Sequence, residues 1–221
     1  MKKIKYILLL AVLFTLGACQ RSQEERSRIL KIYNWADYID EDVLAEFPEW
    51  YKEQTGEDIE IIYQVFDINE IMLTKIERGH EDFDVVCPSE YIIERMMRKD
   101  MLLPINRNFG DTPDYIHNLA PYIQDELNKM CMDERKVTDY AVAYMWGTAG
   151  VLYNKALVSE EEAIACRSLW DPKFANKILM KDSYRDCYGL AIIYANAERL
   201  QKGEVTVEQL MNDNSAEAIA T

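Results

Sequence analysis

From Arg28 onward the chain alternates two kinds of apolar pattern. "RILKIYNW" is a short run of β-type residues, and "DVLAEFPEWYKEQTG" follows with apolar positions at helical spacing and a glycine stop at Gly56. "DIEIIYQVF" reads as a second strand, "NEIMLTKIERG" as a helix opened by Asn69 and closed by Gly79, and "DFDVVCPS" as a third strand. The helix "EYIIERMMRKDM" comes next and stops near Pro104. Strand and helix alternate three times with short connections, which predicts an α/β fold with a parallel sheet covered by helices on both faces. Ligands of such sheets collect at the carboxyl ends of the strands. Trp35 and Tyr38 fall just past the first strand, Asp67 and Asn69 past the second, and Ser89 and Tyr91 past the third, so residues remote in sequence are expected to share one rim.

Farther on, "PDYIHNLAPYIQDELNKM" reads as helical, and "DYAVAYMWGTAGVLYN" as a β-rich apolar run broken by Gly147 and Gly150. A run of that length suits a segment crossing between two lobes, its glycines permitting the bend. A helix is expected in "SEEEAIACRSLW", with Ser159 capping toward Glu162, then a strand at "KILMKDS" and a helix over "YRDCYGLAIIYANAERL". Thr206 and Gln209 form a second capping box before the last helix-like stretch. The expected organisation is a first lobe over 29–140, a crossing strand over 141–154 and a partial second lobe over 155–221.

The leader decides where such a fold works. "MKKIKYILLLAVLFTLGAC" has a basic start, an apolar run too short to cross a bilayer, and small residues before Cys19, so 1–18 read as a signal peptide. Leu16-Gly17-Ala18-Cys19 resembles the lipobox of bacterial lipoproteins, whose cysteine is acylated after cleavage. That resemblance implies lipidation at Cys19, a tether over 19–28, contact with the membrane only through the anchor, and a location in the periplasm or on the outer face of a membrane.

Charge and cysteines narrow the chemistry. With 39 acidic against 25 basic residues the net charge is −14, which excludes a basic-patch nucleic-acid binder and concentrates cations near the surface. Export permits disulfides, but no pair among Cys87, Cys131, Cys166 and Cys187 has metal-type spacing, and their pairing is not readable from sequence. His80 and His117 have no visible partners. No metal or cofactor is expected.

What remains is a set of rings and carboxylates at the rim. Trp35 and Tyr38 read either as cover for the core or as walls of a cage for an organic cation, and Ser89, after Pro88, as a ligand or a helix cap. Asp37 and Asp186 read as solvated acids near helix starts or as anions for an ammonium group.

Several of these pieces, in this order, resemble the polyamine-binding proteins of ABC importers, the spermidine/putrescine-binding family. The matching stretches are "YNWADYI", "FDINEIMLTKI", "DFDVVCPSEYIIERM", "AYMWGTAGVLYN" and "SLWDPKFANKILMKDSYRDCYGLAI", running from about Lys31 to about Ala195. The resemblance implies a two-lobed periplasmic-binding-protein-like fold of the type II class, each lobe a mainly parallel sheet flanked by helices. Aromatic rings would surround the methylene chain of a linear polyamine and carboxylates would meet its ammonium groups. It makes Trp35, Asp37, Tyr38, Ser89 and Tyr91 ligand-binding residues of the first lobe. In the second lobe the family's acidic loop aligns with "DSYRD", where Asp186 keeps an acid and Ser183 does not. The family chain continues past the equivalent of Thr221 with further ligand residues and a second crossing, so the likeness also implies a C-terminally truncated form with an incomplete second half.

The expected function is therefore capture of spermidine or putrescine and delivery to an ABC permease, without catalysis. An extracytoplasmic enzyme on a related scaffold is the alternative from another class, with Cys187 beside Asp186 as its only placed nucleophile. A binding protein for a different cation is the third; ferric sites want neighbouring tyrosines, and "SEYII" offers one.

Overall fold

Each of the first three β-type runs becomes a strand. The computed structural model, which describes residues 25–79, 81–108, 118–213 and 215–220, places β1 at Ile29–Trp35, β2 at Glu60–Phe66 and β3 at Val85–Val86. All three pair in parallel in the order β2-β1-β3, with Trp35 opposite Phe66 and Tyr33 opposite Val86. β3 is shorter than the run that predicts it, yet its bonding continues past both ends. Asp84 N–H donates to the Lys31 carbonyl and Cys87 N–H to the Tyr33 carbonyl, each at 3.0 Å. Pro88 brings no N–H and ends the pairing.

The intervening helices are α1 at Glu41–Thr55, α2 at Asn69–Gly79 and α3 at Glu90–Arg98. Asp40 caps α1 by accepting from the Asp42 N–H at 3.1 Å, and Gly56 ends it in the left-handed region, φ 77°, where a side chain would strain the backbone. α2 and α3 bury Met72, Leu73, Ile92 and Met96 against Tyr33 and Phe66. Tyr33 is the hub of this core, stacked on Phe83 at 4.5 Å between ring centroids and edge-on to Phe66 at 5.1 Å. Before β1, Arg26 reaches Asp82 at 2.7 Å and Asp84 at 3.0 Å, while Lys31 takes Asp82 at 2.5 Å. Hydrogen bonds from Lys31 and Arg26 hold the Asp82 carboxyl well below the usual carboxylate range.

A second, smaller core joins α3 to the segment after it. Met97 and Val137 are buried beside Ile93, Leu102 and Leu127, the last from α4 at Pro121–Lys129. Between α4 and Val137 lies a tight antiparallel pair, β4 at Cys131–Met132 and β5 at Arg135–Lys136, turning at Asp133 with φ 58°. Strands of two residues leave no periodicity, so the apolar pattern gives no hint of this hairpin.

The chain divides into two compact units, one running to Trp146 and the other from Gly147 to Thr221. In the second, both expected capping boxes form: Ser159 with Glu162 opens α5 at Glu160–Ala163, and Thr206 with Gln209 opens α8 at Val207–Asn212. Between them stand two 3-10 turns, Ile164–Trp170 and Pro172–Phe174, then α6 at Tyr184–Ala195 and α7 at Ala197–Gln201; α9 comes last at Ala216–Ala220. Trp170 stacks almost flat on Tyr194 at 3.9 Å. The class is mixed α/β with a parallel sheet, as expected, but the second lobe's own sheet needs correcting: among the described residues the second unit holds no strand. The run at "KILMKDS" and the run over 141–154 enter no ladder, and a segment becomes a strand only when another pairs with it. Leu152 and Leu179, each 99% exposed, lie in these segments.

Candidate functional site: the rim of the parallel sheet

Parallel pairing sends the chain out of β1, β2 and β3 at one edge, so the loops after them form a common rim. The first loop is anchored where the Ala36 N–H donates to the Phe66 carbonyl at 3.3 Å. The indole of Trp35 packs on Phe66 at 4.6 Å and stands 6.2 Å from the ring of Tyr38, tilted by 40°. Tyr38 is 43% exposed, more than a core-covering ring needs. Asp37, between them, has φ 58°, a left-handed conformation that short polar side chains tolerate and that concentrates at binding sites.

The second and third loops are tied by one side chain. Asn69, 6% exposed at the start of α2, accepts the Ser89 N–H with its Oδ1 at 3.2 Å. Its Nδ2 donates to Ser89 Oγ at 2.9 Å and to the Tyr91 hydroxyl at 3.0 Å. Tyr91 in turn donates to Glu70 Oε1 at 3.0 Å. Ser89 stands at the N-cap of α3 without capping it by its side chain.

A third contribution comes from the crossing run. The Tyr144 hydroxyl donates to the Tyr38 carbonyl and bonds the buried Asn34, whose Oδ1 also accepts the Trp35 N–H at 2.8 Å. Lost hydration pushes the Tyr144 phenol up, against the Asn34 bond, which lowers it. Burial likewise pushes the Cys87 thiol up, making it a poor nucleophile. Trp146 is 67% exposed and meets Tyr122 edge-on at 5.4 Å.

In the second unit Ser183 caps α6, its side chain accepting the Asp186 N–H at 3.3 Å, and Asp186 forms an ion pair with Lys181 at 3.1 Å. Asp186 borders a largely apolar cavity of about 780 Å³ whose lining also carries Lys173, Lys177 and Lys181. Lys173 is paired with Glu162. Cys187 Sγ donates to the Lys181 carbonyl at 3.3 Å.

The structure thus brings Trp35, Asp37 and Tyr38 together in one loop, joins Ser89 to Tyr91 through Asn69, and sets Ser183 beside Asp186 in the second unit. Asn69 and Asp67 are expected at the rim from their place after β2; the amide bridge, Glu70 as its acceptor and Tyr144 over Tyr38 are not, because side-chain hydrogen-bond partners leave no periodic trace. Among the described residues no cluster of His, Cys, Asp and Glu is arranged to hold a metal, and no helix is long and apolar enough to cross a membrane. Cys87, Cys131 and Cys187 are free thiols. The leader, Cys19, His80, His117 and the side chain of Cys166 lie outside the described residues.

No family model matches the chain. It is similar to the spermidine/putrescine-binding periplasmic protein of Salmonella typhimurium, 28% identical over 193 residues, 87% of this chain and 51% of that one. The putrescine-binding periplasmic protein PotF of Escherichia coli is 34% identical over 148 residues, 65% of this chain and 36% of its own length. Among solved structures, a putative spermidine/putrescine ABC transporter protein from Listeria monocytogenes superposes with a TM-score of 0.60 at 34% identity, covering 75% of this chain and 47% of its own. These relatives bear out the resemblance drawn from the motifs, and the Salmonella and Escherichia proteins are named as binding proteins rather than enzymes. The chain spans about half the length of the Salmonella relative.

Proposed function

We propose that this chain, similar along most of its length to periplasmic polyamine-binding proteins, is the substrate-binding component of an ABC importer and captures spermidine or putrescine outside the cytoplasmic membrane for delivery to a permease. The observation that carries the reading is the colinear similarity to such proteins over 87% of the chain, which includes every loop of the rim. The rim's chemistry agrees with it. A ring face within about 6 Å of an alkylammonium returns roughly 0.5–2 kcal/mol, and Trp35, Tyr38 and Tyr91 are the proposed rings. Asp37 would add a charge-assisted hydrogen bond, about twice as strong as a neutral one, and Ser89 a polar contact. Asp186, with Ser183 beside it, is the proposed second-unit anion; a ligand ammonium would take over the place that Lys181 holds on that carboxylate. The cycle needs no bond-making step, so the chain acts without catalysis, and Cys19 is proposed to carry the lipid that keeps it at the membrane surface.

Isothermal titration of the folded chain with spermidine and with putrescine tests this. Saturable heat from at least one amine is expected, with none from the uncharged diol of putrescine's length. A folded chain that gives no heat with either amine contradicts the reading.

A further inference from the structure

We infer that Asn69 is a positioning residue for the proposed polyamine site: it fixes which way the hydroxyls of Ser89 and Tyr91 present themselves, with Glu70 as the terminal acceptor of the chain. The inference rests on the functional reading above and deepens it.

Three observations carry it. First, the amide has one consistent orientation. Its Oδ1 accepts the Ser89 backbone N–H at 3.2 Å, so its Nδ2 is the donor to Ser89 Oγ at 2.9 Å and to the Tyr91 hydroxyl at 3.0 Å. Second, the direction propagates. The Tyr91 oxygen accepts from Asn69 and turns its own proton to Glu70 Oε1 at 3.0 Å, so the hydroxyl is held in one orientation. Third, Ser89 is withheld from the work its place in the chain offers. A serine at an N-cap usually accepts a helix N–H, worth about 1 kcal/mol; here its side chain makes no cap bond to α3 and points its oxygen at Asn69 instead. With Asn69 donating to both, the two hydroxyl oxygens that face a ligand are fixed in place by one buried amide.

Asn69 is 6% exposed, so removing its amide leaves Ser89 N–H and two hydroxyls to find new partners, and their orientation becomes indeterminate. A purely architectural asparagine would stabilise the loop–loop junction without any coupling to ligand through those two hydroxyls.

The test is a mutant cycle read by calorimetric titration with spermidine and putrescine on the full chain, with melting temperatures measured alongside. Asn69→Ala should weaken the better-bound amine about tenfold in the unmodified background and less than about twofold when Ser89→Ala and Tyr91→Phe are already present. Where Asn69→Ala does not fold, Asn69→Ser, which keeps a small polar side chain at the helix start, carries the same cycle. An equal loss in both backgrounds, or a lowered melting temperature with unchanged affinity, overturns the inference while the functional reading stands. Absence of amine binding by the unmodified, folded chain overturns that reading first and this inference with it.

Discussion

Removing the indole of Trp35 separates the two roles that its position allows. The ring covers Phe66 at 4.6 Å, and Phe66 is only 5% exposed, so Trp35→Ala opens one end of the first core. A fully buried Trp→Ala change costs about 3–5 kcal/mol; Trp35 is partly buried at a strand end, which brings the expected loss to about 2 kcal/mol, including roughly 0.5–1.5 kcal/mol for the aromatic pair. That is a tolerable fraction of the roughly 5–15 kcal/mol typical of a domain. The affinity effect is separate in origin: losing one cation–π face costs about 0.5–2 kcal/mol, roughly a two- to thirtyfold rise in Kd for the better-bound polyamine. Trp35→Phe resolves the two, since a phenyl ring retains much of the packing on Phe66 with a weaker quadrupole. Calorimetric titrations and thermal melts on the three proteins should rank affinity as Trp, then Phe, then Ala, with stability falling chiefly at Ala. Unchanged affinity in Trp35→Ala, with a lowered melting temperature, would show the indole to be core cover alone and refute the argument.

Other expectations arise from particular contacts. Asp82, lowered by Lys31 and Arg26, should support the first unit fully above the ordinary carboxylate pKa of 3.8 and withdraw that support as pH falls below it, because the folded form holds the proton less tightly than the unfolded one. Melts between about pH 6 and about pH 2 should show Asp82→Asn reducing this acid sensitivity, and added salt should weaken the effect, since the Asp82 side chain is 62% exposed. Gly56→Ala should cost about 1 kcal/mol by denaturant titration from its left-handed backbone alone, as nothing lies within 4 Å of the added methyl group. Lys181→Gln, which frees Asp186 from a surface ion pair, should tighten polyamine binding about two- to fivefold in the same titrations.

The βαβαβα first unit is legible because short runs of β-type residues alternate with runs of helical spacing, and because Gly56, Asn69 and Gly79 punctuate those runs. The capping boxes at Ser159 and Thr206 are equally plain, being local chemistry with fixed spacing. The β-type runs of the second half are where composition misleads: "KILMKDS" has strand-like residues, but strand formation is a property of pairs, and composition does not say what lies alongside. The rim residues Trp35, Tyr38, Ser89 and Tyr91 can be placed because strand ends fix loop position, and the family likeness supplies the role proposed for them. Asn69 carries a rim position in the sequence but not its bridging function, since a hydrogen bond between residues 20 apart depends on how two loops are brought together.

The most direct measurement is a crystal structure of the chain grown with spermidine. The account predicts an ammonium group of the bound amine within hydrogen-bonding distance of Asp37, with the methylene chain against Trp35 and Tyr38 and an N–H directed at the Tyr91 hydroxyl. Spermidine bound away from this rim, or the rim side chains unvisited in a crystal saturated with the amine, would contradict it.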